Sequence, residues 1–193
     1  SNVNVNEMAA AEADLQAAMN IEFNTNQPAA GTYYTIVSNH NGYAANGRIT
    51  VGDNGGLIWN KDDANVSHWF KFVDAGEGKF YLYNVKTGKY LSRAGAHTSG
   101  QVYAEVTTTE NAKTVTITNM GKNNIVKIVP VGGAMIHAAD TKKIVAWDKD
   151  SYEGASAWTI VEVENPGVAY IDNTNYPTLA EAVYAWQEGK TIN

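Results

Sequence analysis

The sequence predicts an all-β domain in which three like units close into one pseudo-symmetric barrel, and three observations predict it. Short runs rich in β-branched and aromatic residues follow one another from Gly31 onward, separated by Gly and Asn. Three landmarks recur together at a period of about 44 residues. Only 18% of the residues are charged, so polarity rests on Asn, Thr, Ser and Gly, which suits strands and turns better than solvated helices.

The chain opens differently. Glu7 to Asn20 reads EMAAAEADLQAAMN, a run of strong helix formers with Met8, Leu15 and Met19 on one face, so a short N-terminal helix is expected. Asn24 to Ala30, with Pro28, ends it as a linker, and residues 1–30 form one segment.

Strand-like runs then follow: Tyr33–Val37, Phe80–Val85, Thr114–Thr118 and Ile125–Val129 are examples. Trp59, Tyr103 and Trp147 lie 44 residues apart. Each follows a glycine turn (Gly42, Gly88, Gly132) and precedes an apolar strand start at Trp69, Val115 and Trp158. Trp59-Asn60-Lys61-Asp62 also matches Trp147-Asp148-Lys149-Asp150, and Ser67-His68-Trp69 matches Ser156-Ala157-Trp158. Three copies are too few for a propeller, whereas three four-strand units close a small barrel whose axis all three fill. The expected fold is therefore a three-fold β-trefoil over residues 31–164, with repeats at about 31–79, 80–124 and 125–164.

A second texture starts at Asn165-Pro166-Gly167. Val168–Ile171 reads as a strand, Thr178 to Glu181 as a capping box opening a helix through Trp186, and Thr191-Ile192 as another strand. Residues 165–193 are thus a strand-helix-strand extension that begins a further domain.

Composition narrows function. A formal charge of −6 with no Lys/Arg cluster argues against nucleic acid. The absence of cysteine removes disulfides, thiolate zinc sites and cysteine nucleophiles, and it fits a bacterial or intracellular protein better than a small secreted eukaryotic domain. No apolar run approaches a membrane span. The four histidines show no metal-ligand spacing, and no phosphate loop or nucleophile elbow occurs, so neither a cofactor nor an enzyme is expected.

The stretch from Gly56 to Trp69, with strand Phe70 to Val73 and the glycine turn of KTGKYLS, resembles the repeat of ricin-type β-trefoil lectins. In that family each repeat ends in Q-x-W; here Ser67 and Ser156 replace the glutamine, and Lys113-Thr114-Val115 replaces the motif in repeat two. The resemblance implies a non-catalytic carbohydrate-binding module. Its aromatic platforms map to Trp59, Tyr103 and Trp147, with Asn60 and Asp148 alongside. The family's carboxylate position maps to Asn46, Ser92 and His137, none of which is Asp, so galactose specificity does not carry over. The implied ligand is a glycan bound weakly. The same rings packed between strands would instead make a structural spacer or protein-interaction trefoil. A third reading is part of a glycosidase whose active site lies outside this sequence, and all three stand. The C-terminal NTNYPTLAEAVYAWQEGKTIN is similar to the cap that precedes parallel β-helix domains of secreted bacterial proteins. It implies a secreted or cell-surface bacterial protein with appended domains.

Overall fold

The computed structural model describes residues 27–29, 31–62, 66–121, 124–148, 153–163, 169–171 and 174–176, with Val183 and Trp186. The N-terminal helix expected at Glu7–Asn20 and most of the C-terminal helix and last strand lie outside these residues.

Twelve strands follow one another between Tyr33 and Val163. The first four are β1 (Tyr33–Ser38), β2 (Arg48–Val51), β3 (Leu57–Asn60) and β4 (Phe70–Gly76). The next four are β5 (Lys79–Asn84), β6 (Lys89–Arg93), β7 (Tyr103–Val106) and β8 (Thr114–Asn119). The last four are β9 (Ile125–Pro130), β10 (Met135–Ala138), β11 (Ile144–Trp147) and β12 (Trp158–Val163). Helical structure among them is confined to single turns, at Val66–His68, Thr109–Asn111 and Glu153–Ser156.

The outer strands of each unit make a closed antiparallel ring. β1 pairs with β4, β4 with β5, β5 with β8, β8 with β9, β9 with β12, and β12 returns to β1. Closure leaves no free edge in the ring. The inner pairs β2–β3, β6–β7 and β10–β11 form three hairpins that meet at one end. Bridges Gly56↔Tyr103, Gln101↔Val145 and Ile58↔Lys143 link them in cyclic order.

Those three bridges set the true correspondence between repeats. Gly56, Gln101 and Lys143 play one role, and Ile58, Tyr103 and Val145 play the other. Hence Trp59 corresponds to Ala104 and Ala146, and Trp147 corresponds to Asn60 and Glu105. The equal spacing of Trp59, Tyr103 and Trp147 is therefore out of register by one residue in each of two repeats. A one-residue slip in a strand moves a side chain to the opposite face. The three rings do not occupy equivalent places.

The core is built in layers of three. Ile36, Leu82 and Ile128 form one, Leu57, Val102 and Ile144 another, and Ile49, Leu91 and Ile136 a third, all essentially without solvent contact. Ring pairing likewise makes Phe70, Val115 and Trp158 equivalent. All three are buried, and the Trp158 indole donates to the Ile136 carbonyl at 3.1 Å. Trp69 is also buried, but it stands one residue ahead of that layer.

In the extension, β13 (Ala169–Ile171) pairs antiparallel with β14 (Thr174–Tyr176). The strand expected at Val168–Ile171 is thus half of a hairpin, rather than leading directly to a helix.

Candidate functional site

Each platform residue has a different fate. Trp59 on β3 points inward and is 4% exposed. Its indole donates to the Ala139 carbonyl at 2.7 Å, and its six-membered ring fills the space beside Gly47. The ring has no open face, so the expected platform of repeat one is a packing residue. Its neighbour Asn60 faces outward but is engaged, with Oδ1 2.5 Å from His68 Nε2. Asn46 lies in the exposed turn before β2 at a φ of 58°. The position it was mapped to belongs to Thr50, which corresponds to His137 and sits beside buried Ile49; Thr50 Oγ1 donates to the Ser67 carbonyl at 2.6 Å.

Repeat two is open. Tyr103 is half-buried and lines a cleft of about 370 Å³ with Arg93, Ala94, Gly95, Gly100, Gln101 and Lys113. The Arg93 guanidinium lies 3.9 Å from the Tyr103 ring centroid and forks onto Glu105 at 3.0 and 3.1 Å. That carboxylate raises the Arg93 pKa further above its already high value. Lys113 Nζ reaches the Val131 carbonyl at 3.4 Å and Gln101 Nε2 the Leu57 carbonyl at 3.2 Å. Arg93, Gln101 and Lys113 are lining residues that motif reading missed. Lys113 was visible only as the departure from Q-x-W.

Repeat three holds a built aromatic. Trp147 is partly exposed, and one face stacks on His137 at 4.7 Å between centroids and 17° between planes. His137 is 5% exposed, with Nδ1 2.9 Å from the Ser156 hydroxyl. Burial, and then the proximity of His40, lower its pKa from 6.5 to about 4, so at neutral pH it is an uncharged brace. It therefore supports the tryptophan from within rather than facing ligand. Asp148 follows on the chain, is 41% exposed, and lies 3.5 Å from His97 Nδ1 across from repeat two. The structure thus brings together Trp147, His137 and Asp148, and leaves Trp59, Asn60 and Asn46 apart from them.

Among the described residues, no group of three His, Asp or Glu is placed to hold a metal, and no helix is long and apolar enough to cross a membrane.

Solved structures repeat this architecture. The designed three-fold symmetric protein ThreeFoil superposes with a TM-score of 0.56 at 17% identity, over 68% of this chain and 99% of its own. The fold is the β-trefoil. A Polyporus squamosus lectin, solved bound to a human-type influenza-binding epitope, gives 0.55 at 20% identity over 74% of this chain and 51% of its own. A GlcNAcα1-4Gal-releasing endo-β-galactosidase from Clostridium perfringens gives 0.55 at 14% identity, over 69% of this trefoil-bearing chain but only 33% of the enzyme. No family model and no curated protein sequence matches the chain.

Proposed function

We propose that this trefoil is a non-catalytic carbohydrate-binding module of a larger secreted or cell-surface bacterial protein. The observation that carries the reading is Trp147. It occupies a surface position on the hairpin where the two other repeats have the polar residues Asn60 and Glu105, so packing does not demand a large ring there. Its inner face is held rigid by the uncharged His137. A sugar ring presents C–H groups on one face and hydroxyls at its edge. A braced indole suits the first, and the neighbouring Asp148 carboxylate suits the second. The Tyr103 cleft, with Gln101 and Lys113, is a second place of the same kind.

Support comes also from trefoil neighbours that bear sugar ligands or carry the fold beside a glycosidase unit. The enzyme match covers a third of that protein, which fits an appended module rather than the catalytic part. The C-terminal likeness to a β-helix cap supports an exported, multidomain bacterial origin, and the lack of cysteine is compatible with a bacterial one.

One ring with a few wet hydrogen bonds gives only roughly millimolar affinity, about −4 kcal/mol, so retention relies on several contacts along one glycan. Affinity electrophoresis through gels carrying immobilised oligosaccharides tests this. The native chain should be retarded, Trp147→Ala should run freely, and Trp147→Phe should fall between. Equal retardation of native and Trp147→Ala puts the site elsewhere. The burial of Trp59 favours one competing reading, a spacer or protein-interaction trefoil, which absence of retardation on every glycan would establish.

A further inference from the structure

The ring of strands presents the same outer face three times, and one copy differs from the others. On the face spanning β1, β4, β5 and β6, the cross-strand row reads Tyr33, Lys71, Tyr83, Tyr90. The next row reads Val73, Tyr81, Thr114. The corresponding first rows on the other two faces are Lys79, Thr116, Val129 and Ile125, Thr159, Val37, Arg48. Neither carries an aromatic residue, yet all three faces cover equivalent core layers. Packing therefore does not require four tyrosines on the first face.

These rings form a continuous, half-buried strip. Tyr83 and Tyr90 lie 4.8 Å apart and Tyr81 and Tyr90 6.3 Å apart by ring centroid, and Lys71 Nζ sits 4.3 Å over the Tyr33 ring. Among the described residues the hydroxyls of Tyr33, Tyr81, Tyr83 and Tyr90 have no hydrogen bond to protein, whereas those of Tyr34 and Tyr43 do, so the four on the strip are free to meet a ligand. The rows contain no carboxylate, and Lys71 has no carboxylate partner among the described residues. On a chain of net charge −6 this is a local reversal of sign. Three steps between neighbouring strands carry the row over roughly 14 Å, longer than one sugar ring.

We propose that this face is a second saccharide-binding surface, which takes an extended acidic polysaccharide with its sugar faces on Tyr33, Tyr81, Tyr83 and Tyr90 and its carboxylate or sulfate groups on Lys71. It stands apart from the Trp147 site and does not depend on it. Tyrosine is also common at protein interfaces, so a second copy of this chain is the competing occupant, and sedimentation tests it. Flat aromatic surface, free phenolic hydroxyls and an ammonium group without a carboxylate partner match what a charged glycan presents.

The test is affinity electrophoresis of the full chain in gels containing alginate, dextran sulfate or neutral dextran. Alginate isolates carboxylate groups and dextran sulfate sulfate groups; neutral dextran reports stacking without charge. Native protein should be retarded by at least one acidic polymer more than by dextran, and less so as salt rises. Tyr83→Ala with Tyr90→Ala should weaken retention at least about 5-fold, on the scale of losing a base-like stacking contact. Lys71→Gln should weaken it on the acidic polymers alone. Tyr83→Phe with Tyr90→Phe keeps the rings and the fold, and should lose only part of the retention. Trp147→Ala should keep it, which separates this surface from the site in repeat three. Retention of the alanine and glutamine variants equal to native would overturn the proposal. So would sedimentation showing a dimer that Tyr83→Arg returns to monomer, because the strip would then be covered by a second copy.

Discussion

Gly47→Ala should be costly in the native chain and close to harmless once Trp59 is gone. A Cβ at Gly47 would stand 2.8 Å from Trp59 Cε3 and 3.0 Å from the Ala44 carbonyl oxygen. The indole is fixed from its other end by the bond to Ala139, so it has little room to retreat. Overpacking of this kind costs about 1–3 kcal/mol. Trp59→Ala alone should cost about 3–5 kcal/mol, the range for emptying a buried aromatic site. That corresponds to a fall in Tm of roughly 6–20 °C for a chain of this size. The Ala139 carbonyl still accepts from the Lys142 amide, so no buried acceptor is orphaned and no further penalty applies. With the indole removed, the clash that dominates Gly47→Ala disappears. Alanine also restricts the unfolded chain, a gain of about 0.4–1 kcal/mol. The double variant should therefore be more stable than the two single losses predict, by about 1–2 kcal/mol. Urea unfolding of the four proteins of this cycle measures the coupling. Strict additivity would refute the packing role of Trp59, and so would a neutral Trp59→Ala that abolishes glycan retention.

Two further outcomes follow from the same structure. Trp158→Ala should cost about 3–5 kcal/mol, because the ring supplies most of the volume in a layer it shares with Phe70 and the smaller Val115; a loss below about 1 kcal/mol in urea unfolding would break the layer assignment. His137 has a pKa of about 4 folded against 6.5 in the unfolded chain, so between these values the unfolded state binds the extra proton. Stability is then full above pH 6.5 and is lost as pH falls toward 4, by roughly 3 kcal/mol from this group; His137→Gln should flatten that part of the profile, and parallel profiles would contradict it.

Much of the trefoil was legible because turns and strands advertise themselves. Gly88 and Gly132 sit at positive φ, where glycine is favoured, and both opened the hairpins they were assigned to. Runs such as Thr114–Thr118 and Ile125–Val129 fell within β8 and β9. What the period could not carry was register. A repeat length says how far apart two units lie, but a side chain changes face with every residue along a strand. Tyr103 stands one residue before Ala104 and Trp147 one residue after Ala146, so a spacing that looked uniform joined an inward ring to two that face elsewhere. The same blindness hid the tyrosine strip, since Tyr33, Tyr81, Tyr83 and Tyr90 become neighbours only through pairing between strands.

Register also explains why the three-fold symmetry is informative where it fails. A position that must fill the axis is apolar in all three repeats, as Ile49, Leu91 and Ile136 are. A single large residue can still be demanded by packing where its two counterparts are small and equally buried, and Trp59 against Ala104 and Ala146 is that case. An aromatic whose counterparts are polar and exposed has no such explanation. Trp147 against the outward-facing Asn60 and Glu105 meets that condition, and Tyr90, whose counterparts are Arg48 and Met135, meets it in one of the two comparisons. Both positions tolerate small or charged residues without loss of the fold, because the same backbone carries them elsewhere in the same molecule. On the proposed reading, both rings are therefore assigned to contact with something outside the chain.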